Sequence, residues 1–467
     1  MGRIMKCEAK VWRCVWARVS SLGVAVAMVS VQTGCAPPTG GGGVANTNTN
    51  MNQAPAPAND NAAPNANDNA APRVFVGAAV CAACHTAEHE TWLTSRHENA
   101  LESLRAIGRE TDAACLPCHT VGFGEAAGFV DETATPHLAG VQCESCHGPS
   151  EGHTLDPNDP ALVPATNVSG FVCGACHTAA HHPTFDEWQL SAHANSVSRV
   201  QSSPHAADAC LSCHSEAYRF ATRAGAAPPG VASVTTSIEC VTCHGPHGSA
   251  PSDGTTAPPD HELRAPVAAL CGACHAQPQD VFPDNTPHHV QPEMLLATGA
   301  LDAAGEPLEL ALNHAHGRLV GGDGDDCARC HVVLHAVPDP NSGNPIATFH
   351  RFDTYDDVFD GTEAERAGGC LPCHLVGSPV NDPNVLVAAT RAAFSDRLST
   401  LAAVFDEFSD SFIDPATLSD VDAGRLRDAR FNYDFVRLDG SLGVHNPDYA
   451  TAALDAAQAI IDDLVTP

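Results

Sequence analysis

Aromatic residues make up only 5% of the 467-residue chain, while glycine and proline number 37 and 35. So little bulky apolar matter, broken by so many loop formers, argues against an ordinary self-packed core over this length. Basic residues are short as well: 23 Lys and Arg stand against 55 Asp and Glu, for a formal charge of −32. Lys6 and Lys10 are the only lysines. Beyond the N-terminal leader no lysine exists to serve as a metal ligand, which excludes a lysine-ligated catalytic centre. A surface this acidic repels nucleic acid and anionic lipid and favours basic partners or cations. The apolar run from Val19 to Val31 is too short to span a bilayer stably.

What is abundant is cysteine, 21 residues, and histidine, 26. Residues 1–35 read as an export leader: Arg3, Lys6, Lys10, Arg13 and Arg18 precede the Val19–Val31 run, which ends in Gln32-Thr33-Gly34-Cys35. That ending is similar to a bacterial lipoprotein processing site with Cys35 as the lipidated residue, although Gln32 stands where an apolar residue is usual. Cleavage there removes five basic residues and one acid and leaves a charge of about −36. Residues 36–72 are Gly, Asn, Ala, Pro and Thr almost throughout. Such a segment buries too little to fold and reads as a flexible tether, with a reach on the order of 35 Å.

The remaining 18 cysteines fall without exception into nine C-x-x-C-H motifs. The thiols are Cys81 and Cys84, Cys115 and Cys118, Cys143 and Cys146, Cys173 and Cys176, Cys210 and Cys213, Cys240 and Cys243, Cys271 and Cys274, Cys327 and Cys330, and Cys370 and Cys373. The following histidines are His85, His119, His147, His177, His214, His244, His275, His331 and His374. Two thiols on one helical turn reach the two vinyl groups of a haem, and the adjacent histidine becomes the proximal iron ligand. Zinc knuckles, redox dithiols and disulfides have no use for an invariant histidine after the second cysteine. Nine covalently bound haem c groups are therefore expected, and they supply the apolar interior that composition denies. Methionine survives export only at Met51 and Met294, so a second imidazole is the expected sixth ligand.

The motifs repeat as modules. VCAACH (80–85), W-x-x-S-x-H (Trp92, Ser95, His97), ACLPCH (114–119) and VQCESCHGP (141–149) are followed by VCGACH (172–177), the same W-x-x-S-x-H (Trp188, Ser191, His193), ACLSCH (209–214) and ECVTCHGP (239–246). A looser third unit runs from LCGACH (270–275) through DCARCH (326–331) to GCLPCH (369–374). Duplication of a three-haem module is the simplest account.

Residues 76–153, with VGAAVCAACH, W-x-x-S-x-H, CLPCHTVGFG and GVQCESCHGPSEGH, resemble the tetrahaem cytochrome c family that accepts electrons from hydroxylamine oxidoreductase. The likeness recurs over 172–247, and it implies that His97, His153, His193 and His247 are distal iron ligands. From 287 to 374, PHHVQPEML, NHAHGRL and FHRFD resemble larger multihaem cytochromes. That implies His288 or His289 (His289 preferred), His316 before His314, and His350. GSLGVHNP is similar to the start of the C-terminal helix in nitrite and hydroxylamine-type multihaem enzymes, which implies His445. Eight distal ligands for nine haems leave His137, His205, His261 and His335 to compete for the last place, or one iron five-coordinate. His89, His181 and His182 read as solvent-facing, and Trp92 and Trp188 as packing against haem. The acidic turn Gly321–Asp326 reads as solvated, so calcium is not expected.

The fold class that follows is mainly α with extensive loops, little or no sheet, a haem-cored multihaem domain over 73–380 and a helical C-terminal segment over 381–467. Phe394, Leu398, Leu401, Phe405 and Phe408 form one apolar stripe. A second, more polar helix is expected at about 417–437, and Asn446-Pro447-Asp448 caps a third over 449–465. The expected function is electron transfer with redox partner proteins by an exported bacterial lipoprotein, periplasmic or at the cell surface, whose membrane contact is the lipid alone. The competing expectation is a multihaem oxidoreductase acting on a small nitrogen or sulfur compound at one open haem. Oligomers or an extracellular filament with shared histidine ligation are a third.

Overall fold

The computed structural model describes residues 74–179, 182–248, 262–277, 286–310, 316, 327–336, 346–352, 370, 373–374, 377–378 and 381–466. The expected leader, Cys35, the tether, His261, His314 and the Gly321–Asp326 turn lie outside these residues.

Along the repeats the helices are short and sit on the motifs: Leu116–His119, Cys143–His147, Gly170–Gly174, Leu211–His214, Cys240–Cys243, Val267–His275 and Ala328–His331. One turn is far below the length at which a helix holds itself in water, so tertiary contacts must hold them. The local geometry serves the motif. The main-chain N–H groups of His85, His177, His244, His331 and His374 each donate to the carbonyl of the first motif cysteine at 2.9 Å, which closes one turn and places both thiols and the imidazole on it.

The two well-formed repeats share one frame. Trp92 donates its indole N–H to the Val141 carbonyl (2.9 Å) and Trp188 to the Ile238 carbonyl (3.0 Å). Val141 N–H in turn donates to the His97 carbonyl and Ile238 N–H to the His193 carbonyl. Each W-x-x-S-x-H segment is thus stitched to the residue two before the third motif of its repeat, a bonded role for the tryptophans beyond the packing expected of them. Buried carboxylates add a second stitch: Glu144 accepts from Val76, Gly77 and Ser150 N–H, and Glu239 from Gly170 N–H.

Apolar clusters in the repeats are small. One holds Phe75, Leu101, Leu104, Leu116, Val121, Phe129 and Leu138, the other Val197, Val200, Leu211 and Val234. The C-terminal segment differs. Helices Pro383–Phe405, Asp420–Asp439 and Pro447–Val465 begin on Asp382, Ser419 and Asn446, whose side chains accept from Asn384, Asp422 and Tyr449 N–H. The second ends on Gly440 in the left-handed conformation at φ 76°. Together with Val290, Met294, Ala297 and Ala300 they bury the largest cluster, including Leu401, Val436, Tyr449, Leu454 and Ile460. The expected stripe holds through Phe405; Phe408 lies past the helix end and is exposed, because Asp406 stops the helix with extended backbone. Among the described residues the only strands are Leu334–Ala336 and Ile346–Thr348, antiparallel with His335 opposite Ala347.

Candidate functional site

Each motif histidine meets a second histidine from elsewhere in the chain. The pairs are His85–His153, His177–His97, His119–His182, His147–His247, His275–His193, His214–His289, His244–His350, His374–His316 and His331–His445, with ring centroids 5.9 to 6.5 Å apart. Their interplanar angles scatter from 23° to 71°. Stacking would fix the angle; here the separation is held and the angle is free. An imidazole nitrogen reaches a metal at about 2.0 Å, so two rings on opposite sides of one ion have centroids about 6 Å apart. The donor set fits a bis-imidazole iron at every motif, and none of the eighteen motif cysteines is taken up in a disulfide.

All eight histidines expected as distal partners meet a motif histidine. The remaining motif histidine, His119, meets His182, which the sequence predicts to face solvent; it is half-buried, 6.5 Å from His119. His137 and His205, two of the competitors for that place, are exposed. His182 also lies 5.9 Å from His177, but that ring is already met by His97. The partner His119 is remote in sequence, and no local motif flags it. The usable signal was the doublet: His181-His182 before Pro183 parallels His288-His289, where one member is a partner. At that second doublet His214, His288 and His289 place ligand atoms within 4.8 Å of one another.

Six of the nine pairs join different repeats. His97 of the first repeat meets His177 of the second, while His182 and His247 of the second reach back to His119 and His147. His193 meets His275 of the third unit, whose His289 and His350 reach back to His214 and His244. Sulfur atoms of different motifs also lie close together. Cys81 lies beside Cys143, Cys118 beside Cys176, Cys173 beside Cys240, Cys213 beside Cys274 and Cys271 beside Cys327. Neighbouring motifs are thus close enough for cofactors held on them to approach one another.

Hydrogen bonds orient the rings. Nδ1 of His119, His147, His331 and His350 lies 2.7 to 2.9 Å from main-chain carbonyls of Ala100, Ala165, Phe352 and Thr348. Burial, with the charge of neighbouring imidazoles, pulls His193 down to about 4 and His289 down to about 3, so these rings stay neutral and able to ligate at physiological pH. At His445 burial pulls the same way, yet the hydrogen bond and charge of Asp439 leave it raised.

A family model described as cytochrome c554 and c-prime matches residues 80–148 and 172–245, and a doubled CXXCH motif model matches 232–280. Cytochrome c-554 of Nitrosomonas europaea is 37% identical over 97 residues, 18% of this chain and 41% of that protein. Multiheme cytochrome MtrA of Shewanella baltica is 28% identical over 187 residues, 35% of this chain and 52% of that protein. The chain spans about half the length of these relatives or less. In three dimensions it is similar to the outer cell wall cytochrome OcwA, with a TM-score of 0.59 at 17% identity over 83% of this chain and 99% of that one. An undecahaem cytochrome from the S-layer of Carboxydothermus ferrireducens gives 0.56 at 20% identity, over 84% of this chain and 70% of that one. At such identities the likeness establishes the fold. No helix among the described residues is long and apolar enough to cross a membrane.

Proposed function

We propose that this chain, a multihaem c-type cytochrome similar to the cytochrome c554 family over its first two repeats, carries nine haems and relays electrons outside the cytoplasm. One observation carries the reading: every motif histidine has its own second imidazole. An iron held between two such imidazoles would exchange electrons without offering a place to substrate. Haem c, once attached, supplies the one-electron couple. The polypeptide supplies the spacing, seen in the nearness of sulfur atoms of different motifs, and two imidazoles in place of the methionine that would raise the potential. The acidic surface suits basic faces of partner proteins. A lipid at Cys35 and the 36–72 tether would keep the body near a membrane, on its periplasmic or outer face, between a quinol-side donor and a terminal partner. The rival reading, an oxidoreductase with one open haem, draws on a missing ninth partner, and the nearness of His182 to His119 supports the relay instead.

Mass spectrometry of natively matured protein is expected to find nine added macrocycles. Carbon monoxide is expected to leave the spectrum of the reduced protein unchanged, whereas His182→Ala creates one carbon monoxide-binding haem. A wild-type protein that binds carbon monoxide at one haem overturns the relay in favour of the enzyme.

A further inference from the structure

The His331–His445 pair stands at the end of helix Asp420–Asp439, with ring centroids 6.2 Å apart. His445 Nδ1 lies 2.6 Å from Asp439 Oδ1, and the Asp439 side chain is fully buried. Ser441 holds that carboxylate in place: its hydroxyl donates to Asp439 Oδ2, its N–H does so at 3.3 Å, and its oxygen accepts from His445 N–H at 3.1 Å. Across the pair, His331 Nδ1 bonds the Phe352 carbonyl at 2.7 Å. The described imidazoles whose Nδ1 partners are given elsewhere bond neutral carbonyls, as at His119, His147, His316 and His350. A carbonyl merely orients a ring. A carboxylate draws the Nδ1 proton towards itself and makes the opposite nitrogen a stronger electron donor.

We infer that Asp439 is a positioning residue that makes the His331–His445 centre the most reducing of the centres whose ring hydrogen bonds are described. Two effects act in one direction. Greater basicity at His445 favours the ferric state of a bound iron, and so does a buried negative charge beside it, where water screens little. The C-terminal end of the helix that carries Asp439 adds partial negative charge of the same sign. The location gives the effect a consequence. Cys327 lies beside Cys271, and Cys330 lies near Cys370, so this centre stands between those two motifs. Electrons passing from the repeats towards the Cys370 motif then meet an uphill step whose height Asp439 sets.

The inference rests on the ligation proposed above, and spectroelectrochemistry with electron paramagnetic resonance on the holoprotein separates the two. Wild type is expected to show only low-spin bis-imidazole components; a high-spin component in their place defeats the ligation itself. In Asp439→Asn the lowest-potential component is expected to move upward by at least a tenfold change in its ferric to ferrous ratio at fixed applied potential, about 59 mV for one electron, with a changed g-spread for that component alone. Asp439→Glu keeps the charge and is expected to fall between wild type and Asp439→Asn, which serves if the latter matures poorly. Asp434→Asn is the control: Asp434 is ion-paired with Arg430 and Arg437 and bonded to no histidine among its given partners, so it is expected to lower stability without moving any potential. An unmoved lowest component in Asp439→Asn, or an equal shift of every component, overturns the inference.

Discussion

The repeats and the C-terminal segment solve the problem of an interior in opposite ways. Among the described residues over 74–277 the longest helix, Val267–His275, has nine residues, and the apolar clusters hold seven and four buried residues. Over 290–466 three helices of 23, 20 and 19 residues share one cluster of 18. The first region fills its middle with imidazole pairs and thiols whose proper partner is a porphyrin; the second fills it with Leu, Ile, Val, Ala and Tyr. The first part is therefore expected to draw its folding energy from cofactor binding, and the second from packing on itself. The two parts meet, because Val290, Met294, Ala297 and Ala300, within the segment expected as haem domain over 73–380, join the cluster of the C-terminal helices.

The largest expected effect comes from withholding haem. In cells lacking the attachment machinery, amides over 74–277 are expected to exchange with deuterium as an unfolded chain does. Amides within 426–436 and 449–461 keep protection, because their hydrogen bonds lie under aliphatic packing. Since six of the nine pairs tie different repeats together, loss should run through all repeats at once. Persistent protection at Leu116 or Leu211 without haem would break the comparison.

A smaller effect separates the regions by mutation. Leu454 and Leu211 are both fully buried. Leu454→Ala leaves a cavity inside the large cluster and is expected to cost about 2–5 kcal/mol. Leu211→Ala sits in a cluster of four and is expected near the low end of that range, because its surroundings can close the gap. Urea unfolding followed by far-UV circular dichroism and by the haem absorbance reads the two separately; equal costs would mean that the repeats pack as the helices do.

The legibility of the molecule in its sequence follows the same divide. The C-x-x-C-H motifs were plain in the sequence because covalent haem attachment demands contiguous residues. The eight histidines proposed as distal partners came into view only through resemblance to known families, on motifs such as W-x-x-S-x-H. His182 was harder, since its nearness to His119 depends on how two repeats interlock, and the His181-His182 doublet hints at a partner without saying whose. Nor could spacing reveal that His153 closes its own repeat on His85 while His97 and His247 cross between repeats. The C-terminal helices were legible from periodicity and caps; the error at Phe408 came from following the stripe past Asp406.

The smallest effect concerns charge. In the C-terminal segment the buried Asp434 is neutralised by Arg430 and Arg437 at 2.6 and 2.8 Å. In the repeats, Glu239 is buried and accepts from Gly170 N–H (2.7 Å), with the carboxylate of Glu216 near it. Burial first, then the charge of Glu216, against the opposing bond from Gly170, push Glu239 from its ordinary 4.5 up to about 7. The sign follows: between those values the folded chain keeps a proton that the unfolded chain has lost. Stability is therefore greatest below the ordinary value, falls as pH rises through the window, and is flat above about 7. The loss is expected to be on the order of 1–3 kcal/mol. Glu239→Gln keeps an acceptor for Gly170 and carries no charge at any pH, so its urea midpoint measured from pH 5 to 8 should lack this slope while Asp434→Asn retains it. If Glu239→Gln preserves the slope, the pH dependence has its origin elsewhere and buried charge does not distinguish the two regions.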